Sequence, residues 1–122
     1  MKYVRCVNNK NYIQHRGEPL QDEPMVSLTI GRVYKALPPT RDEARLGELR
    51  VIDNEGEDYL YPSSYFVPVE HDDVREPTET ATIHLDQLTK DILRAEAISA
   101  KKSISALLRE WIDERLDLPV NA

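Results

Sequence analysis

Polar and apolar residues alternate strictly in one short stretch of the chain, which reads Thr80-Ala81-Thr82-Ile83-His84-Leu85. This two-residue period predicts a β-strand with one buried and one exposed face. Two segments follow in which apolar residues recur with the 3.6-residue period of a helix, separated by Lys101-Lys102-Ser103-Ile104-Ser105. Because one strand and two helices cannot close a core alone, this order predicts that a second chain completes it.

The two predicted helices have recognisable start signals. Asp86 precedes the first helix and Ser103 precedes the second, and both residue types are favoured N-caps. Pro119 is expected to end the second helix. The second helix carries a continuous apolar stripe, formed by Ile104, Leu107, Leu108, Trp111, Ile112 and Leu116. Such a stripe predicts a buried helix face.

The first seventy residues predict about five short strands and no helix. The strands are expected at Lys2 to Val7, Ser27 to Leu37, Leu49 to Ile52, Asp58 to Tyr61 and Val67 to Val69. Asp53-Asn54-Glu55-Gly56 is typical of a hairpin turn, Pro62 to Phe66 of a helical turn, and residues 8–26 of a long polar loop.

A charged segment divides the chain into two predicted domains. Residues 71–79 are poor in apolar side chains and include Pro77, which is typical of an exposed linker. We therefore expect one domain over residues 1–70 and a second over residues 80–122.

Composition limits the possible functions. The chain has 122 residues and a formal net charge of −6, which argues against charge-driven coating of nucleic acid but allows a local basic site. Cys6 is the only cysteine, so no internal disulfide is possible and a reducing compartment is expected. The sequence lacks a signal peptide pattern and an apolar run of about 20 residues, so no membrane span is expected. These features predict a cytoplasmic protein.

The sequence contains no pattern that indicates catalysis. It lacks a nucleophile elbow, a phosphate loop, a pair of catalytic carboxylates and a Cys/His cluster with metal-ligand spacing. We therefore expect no enzymatic activity, no cofactor and no metal. Six tyrosines lie in the first domain, where they either fill a small core or line an aromatic groove, and the former is the simpler interpretation.

Residues 79–117 resemble the ribbon-helix-helix family, the dimeric DNA binders of the Arc, MetJ and CopG type. The resemblance rests on the strand at residues 80–85, the lengths of the two helices, and the sequence from Ser103 to Glu110. In that family two chains pair their strands antiparallel, and the resulting ribbon enters the major groove of DNA. The resemblance therefore implies a homodimer that binds double-stranded DNA.

The resemblance also implies a role for each face of the strand and for the second helix. The implied base contacts are Thr80, Thr82 and His84. The implied phosphate contacts, at the N-terminus of the second helix, are Lys101, Lys102, Ser103 and Ser105. The implied dimer core comprises Ala81, Ile83, Leu85, Leu107, Leu108, Trp111 and Ile112. The family often has glycine between the helices, so here either the turn differs or one lysine adopts a positive φ.

The N-terminal half resembles a small SH3-like β-barrel, with a long first loop and a helical turn before its last strand. The expected fold class is therefore α+β, with an SH3-like barrel followed by a ribbon-helix-helix dimerisation domain. The expected function is that of a dimeric sequence-specific DNA-binding protein, a transcriptional repressor or antitoxin-like autoregulator, whose barrel either binds a protein partner or adds contacts. The alternative is a dimeric protein-interaction adaptor whose ribbon-helix-helix half only dimerises.

Overall fold

The computed structural model describes residues 3–12, 23–69 and 76–117. The chain divides into two compact units, Met1–Val69 and Glu70–Ala122. The first unit contains a β-sheet and one short helix, whereas the helices of the second unit are accompanied by no described strand. The predicted α+β class is confirmed.

The first unit is built on an antiparallel sheet of five strands in the order β4-β3-β2-β1-β5. The strands are β1 (Tyr3–Cys6), β2 (Val33–Ala36), β3 (Glu48–Ile52), β4 (Asp58–Pro62) and β5 (Phe66–Pro68). A 3₁₀ turn at Ser63–Tyr65 connects β4 to β5. The sheet is not closed, because β4 and β5 form its two edges and do not pair with each other.

Alternation along the strands builds the core of this unit. One side of the sheet carries three fully buried side chains, those of Val4, Cys6 and Val51. Leu28, from the loop that precedes β2, is fully buried with them. Tyrosine rings complete this core, as the simpler interpretation of the sequence predicts, and the buried ones are Tyr34, Tyr61 and Tyr65. The same burial raises the pKa of the Cys6 thiol, which keeps it protonated at neutral pH.

The expectation that the first seventy residues contain no helix is wrong. Helix α1 spans Arg41–Arg45 between β2 and β3. Thr40 caps it, because the Thr40 hydroxyl accepts a hydrogen bond from the Glu43 amide at 3.2 Å while the Glu43 carboxylate accepts one from the Thr40 amide at 3.2 Å. The Glu43 side chain is buried, and its Oε2 lies 3.6 Å from Nε of Arg50 on β3. This ion pair anchors the helix to the sheet.

The strand predicted over Ser27 to Leu37 is wrong in its first half, because only Val33–Ala36 pairs with neighbouring strands. Residues 27–32 form turns instead, and Gly31 adopts a φ of 90° there. Asn54, in the turn between β3 and β4, holds this segment: its side-chain amide donates to Val26 O and Thr29 Oγ1, each at 3.0 Å. The Asn54 side chain thus contacts this segment from the neighbouring turn, while Gly31 and Arg32 bond the backbone of Cys6.

The second unit contains two helices of equal length. Helix α2 spans Gln87–Ser99 and helix α3 spans Ile104–Leu116. Both predicted caps are confirmed: Asp86 Oδ1 accepts from the Thr89 amide at 2.6 Å, and Ser103 Oγ accepts from the Ala106 amide at 3.1 Å. The apolar residues buried on these helices are Leu93, Ala97 and Leu107.

The described part of the chain has no helix that combines the length and the apolar character needed to cross a bilayer. Helices α2 and α3 have thirteen residues each. A membrane-spanning helix needs about 20 residues.

Candidate nucleic-acid interface

The segment Thr80–Leu85 has neither helix nor strand hydrogen bonding in the single chain. Its side chains are exposed, including the apolar ones: Ile83 is 64 % exposed and Leu85 is 43 % exposed. A ribbon of the expected kind pairs each strand with the same strand of another chain, so a single chain cannot form it. The predicted strand and its predicted base contacts Thr80, Thr82 and His84 therefore stay predictions.

Asp86 fixes where this segment ends. The Thr89 amide donates to its carboxylate, which starts α2 directly after Leu85 and lowers the pKa of the Asp86 carboxyl. The capping bond leaves no spacer between the alternating segment and the helix.

The turn between α2 and α3 contains a lysine in a left-handed conformation, which is the second of the two possibilities left open by the sequence. Lys101 has a φ of 57°. Its amide donates to Ile98 O at 3.1 Å, and the Lys102 amide donates to Ala97 O at 3.0 Å. These two bonds define a Schellman motif, in which glycine is the usual left-handed residue. Lysine at this position is less favourable than glycine by roughly 1 kcal/mol.

The four predicted phosphate contacts lie close together in sequence, at the start of α3, but their environments differ. Lys102 forms an ion pair with Glu110, which lies two turns further along the helix. The oxygen of the Ser103 hydroxyl already caps α3, whereas Ser105 is exposed in the first turn. Lys101 is exposed and forms no ion pair with any described residue. Among the described residues at this helix end, only Lys101 therefore offers a positive charge without an ion pair.

The predicted dimer core is only partly buried within the single chain. Leu107 is buried and Leu108 is partly buried, so these residues belong to the interior of the unit itself. Trp111 and Ile112 are exposed, with Ile112 at 52 %, and Ala81 is exposed as well. Further exposed apolar side chains on the two helices, which the sequence analysis did not assign to the dimer core, are Leu88, Ile92, Ile98 and Leu116.

Sequence reasoning missed a cleft of about 480 Å³ beside α3. Glu76 and Pro77 form one side, and Arg109, Ile112 and Asp113 form the other. The sequence analysis assigned residues 76–77 to an exposed linker, because proline and glutamate carry no helix or strand signal. In the structure both residues are exposed, as predicted, and they also line this cleft beside α3.

The residues that the structure describes contain no group of three or more histidine, cysteine or acidic side chains suited to holding a metal ion. His84 lies on the exposed segment rather than in a cluster. The exposed polar groups of this unit that the sequence predicted as contacts are therefore hydroxyl, imidazole and ammonium groups. They can form hydrogen bonds and ion pairs with a ligand.

Comparison with known proteins gives no match, whether with family models, with curated proteins or with solved structures.

Proposed function

We propose that the chain is a dimeric, sequence-specific DNA-binding protein of the ribbon-helix-helix kind, acting as a transcriptional repressor or antitoxin-like autoregulator. One observation carries the proposal. The alternating segment Thr80–Leu85 ends at the capped start of α2, pairs with no described strand and exposes Ile83 to 64 %. An exposed, unpaired segment in which polar and apolar residues alternate is suited to pairing with another strand.

The exposed apolar residues of the second unit support a second copy as the partner. Ile83, Ile92, Trp111 and Ile112 leave large apolar side chains accessible on the segment and on both helices. Burying each such side chain stabilises an assembly by roughly 1.5–3 kcal/mol. In a two-fold symmetric dimer the same surface of each subunit packs against its equivalent on the other subunit. A second, different complementary surface is therefore not required.

Strand geometry restricts how residues 80–85 pair in this dimer. In an antiparallel pair, directly opposed residues point to the same side of the sheet, whereas consecutive residues of one strand point to opposite sides. A residue therefore cannot lie opposite the chain neighbour of its own copy. The two-fold axis must instead pass through a residue that lies opposite its own copy in the partner strand. An axis at Ile83 sets Ala81 opposite Leu85 of the partner subunit and keeps the covered face apolar. An axis at Thr82 would instead set Glu79 opposite that leucine. We therefore place the axis at Ile83.

In the proposed complex the open face of the ribbon reads base edges. Thr82 and His84 face each other across the strands on that face, where both side chains can hydrogen-bond bases. Lys101 and Ser105 contact phosphates from the start of α3, where free amides attract anions. With two or three phosphate contacts per chain, the slope of log K against log salt is expected to be about −4 to −5 for the dimer.

The first unit is proposed to be an SH3-like barrel that binds a protein partner. The long connection between β1 and β2 and the 3₁₀ turn between β4 and β5 support this assignment. The assignment is an analogy of fold and supplies no activity by itself. The proposed protein has no catalytic role, and its single cysteine agrees with a place in the reducing cytoplasm.

A dimeric adaptor is the second candidate function. Two observations favour it: the segment Thr80–Leu85 contains no arginine or lysine, and Glu110 compensates the charge of Lys102. In the adaptor the same dimer forms, but the ribbon binds no DNA and the first units recruit a partner protein. The two candidates therefore share the dimer and differ only at the open face of the ribbon.

Selection from a random pool of DNA duplexes at low salt separates the two functions. The DNA-binding function predicts an enriched sequence whose binding falls at least about tenfold in Thr82→Ala and His84→Ala, as loss of a base contact implies. Thr78→Ala is the control, because Thr78 is exposed and precedes the ribbon. No enriched sequence supports the adaptor, whereas an enriched sequence that both ribbon variants bind normally contradicts base readout by the ribbon.

A further inference from the structure

The first unit contains a cleft that the proposed DNA binding does not use. Its volume is about 320 Å³, and it lies between the loop that precedes β2 and the turn between β3 and β4. Met25, Val26, Tyr59 and Tyr61 supply apolar walls, while Asp53 and Glu55 supply carboxylates. A cleft of this size with apolar walls and a few polar groups is suited to one side chain of a ligand.

Asp53 brings a carboxylate into this cleft without a cationic partner among the described residues. It is only 9 % exposed, yet its two oxygens accept hydrogen bonds from neutral donors, the Tyr61 hydroxyl at 2.8 Å and the Glu55 amide at 2.9 Å. A carboxylate removed from water is costly unless a positive charge compensates it. The hydrogen bonds hold Asp53 in place, and no described cation compensates its charge.

The described arginines near this turn are engaged elsewhere. Arg50 lies 3.1 Å from Asp58 and 3.6 Å from Glu43, so it compensates other carboxylates. Arg32 Nη1 donates to the side-chain oxygen of Asn54 at 2.9 Å rather than to an acidic group. Among the described residues, therefore, no arginine pairs with either carboxylate of the cleft, and Glu55 is exposed at its rim.

Tyr59 offers an aromatic face beside these carboxylates. It is 48 % exposed, whereas Tyr61 on the same side of β4 is buried. The centroids of the two rings lie 5.3 Å apart at an interplanar angle of 54°. The Tyr61 hydroxyl donates a hydrogen bond to the Asp53 carboxylate, which fixes the position of the Tyr61 ring. An exposed ring beside fixed carboxylates is an arrangement that attracts a planar cation, because the ring face and the carboxylates are both negative.

We propose that this cleft binds an arginine side chain presented by an exposed segment of a partner protein. The guanidinium stacks on Tyr59 and pairs with Glu55 and Asp53, while its methylene groups contact Met25. Arginine suits the cleft better than lysine because a planar guanidinium stacks on an aromatic ring and pairs with carboxylates at its edge. The inference concerns the first unit alone and holds whether or not the second unit binds DNA.

Backbone amide NMR of the full chain tests the proposal with three small peptides. They are acetyl-Gly-Arg-Gly-amide, the same peptide with uncharged citrulline in place of arginine, and the same peptide with lysine. We expect saturable shifts with the arginine peptide, with a Kd in the range of about 1 mM, confined to residues 25–27 and 53–61. The citrulline peptide is expected to cause none, and the lysine peptide to bind at least about threefold more weakly.

Matched variants assign the site. Glu55→Gln and Tyr59→Ala are expected to weaken the arginine peptide at least about fivefold, whereas Tyr59→Phe retains binding because the ring remains. Glu57→Gln removes the same charge from the same exposed turn, outside the cleft lining, and is expected to change the affinity less than about twofold. Equal binding of the citrulline peptide, or equal effects of Glu55→Gln and Glu57→Gln, overturns the proposal. Lysine binding as tight as arginine overturns the guanidinium assignment.

Discussion

Lys102 forms an ion pair with Glu110 along the exposed side of α3. This pair compensates the charge of Lys102, one of the phosphate contacts that the family resemblance implies. Glu110→Gln is expected to release Lys102 and to strengthen DNA binding at low salt. The salt slope should steepen by about 0.9 for each released contact, or roughly 1.8 for a dimer. Fluorescence anisotropy of a labelled duplex at several salt concentrations measures this slope.

Glu114→Gln is the matched control for this prediction. It removes the same charge from an exposed position of the same helix, and no described lysine or arginine pairs with Glu114. A general effect of net charge would appear equally in both variants. Equal slopes for Glu110→Gln and Glu114→Gln would therefore contradict a phosphate contact by Lys102.

Ile112 tests whether the exposed apolar face of α3 is an interface. Ile112 is 52 % exposed in the single chain, so Ile112→Asp should fold normally. In the proposed dimer the two copies of this variant bury unpaired carboxylates, which should raise the dimer Kd at least about 100-fold. Light scattering coupled to size-exclusion chromatography measures the change. Leu46→Asp is the control, because Leu46 is 66 % exposed in the first unit. A dimer that survives Ile112→Asp would place the interface elsewhere.

Asn54 is expected to be a main determinant of the stability of the first unit. Besides its bonds to Val26 and Thr29, its side-chain oxygen accepts from the Tyr34 hydroxyl at 2.7 Å. Asn54→Ala leaves these groups without their partner and should lower the free energy of unfolding by about 1–3 kcal/mol. Amide hydrogen exchange in β2 and β3 measures the loss. Glu57→Ala in the same turn should have little effect, and equal stability of the two variants would refute this role.

Asp86 should make the start of α2 sensitive to acid. The Thr89 amide lowers the pKa of this carboxyl in the folded state, so the ionised form stabilises the helix. That contribution is fully present above the unfolded pKa of about 3.9 and is lost as the pH falls through the lower folded-state value. Asp86→Asn keeps a capping side chain but does not titrate. Thermal unfolding by circular dichroism should show a smaller loss below about pH 4 for this variant than for the wild type, and identical pH dependence would contradict the role.

The sequence carried more information about the second unit than about the first. Asp86 and Ser103 marked both helix starts because N-capping is a local interaction between a side chain and an amide three residues away. The same signal existed at Thr40 and Glu43, but the five-residue helix α1 has no apolar period to accompany it. A short capped helix is therefore easily read as a loop.

Long-range contacts explain what sequence reasoning could not predict. The apolar alternation after Ser27 favours a strand, but that segment forms turns that are bonded to the distant residues Asn54 and Cys6. Likewise, the Lys102–Glu110 pair depends on the geometry of the inter-helix turn, where Lys101 adopts its positive φ. Neither pairing has a sequence signature, because each joins residues whose proximity exists only after folding.

Disulfide cross-linking at Ile83 is the most direct test of the proposed ribbon. With the axis at Ile83, the two copies of that residue face each other at about 4.5–5.5 Å between Cα atoms, within the range of a disulfide. The two copies of Leu85 lie about 13 Å apart, beyond that range. The wild type is the background control, since its single cysteine, Cys6, is buried.

The account predicts that mild oxidation converts Ile83→Cys to a covalent dimer on a non-reducing gel, while Leu85→Cys and the wild type stay single chains. Cross-linking of Leu85→Cys in place of Ile83→Cys, or of neither variant at micromolar concentration, would contradict the paired ribbon on which the proposed DNA binding rests.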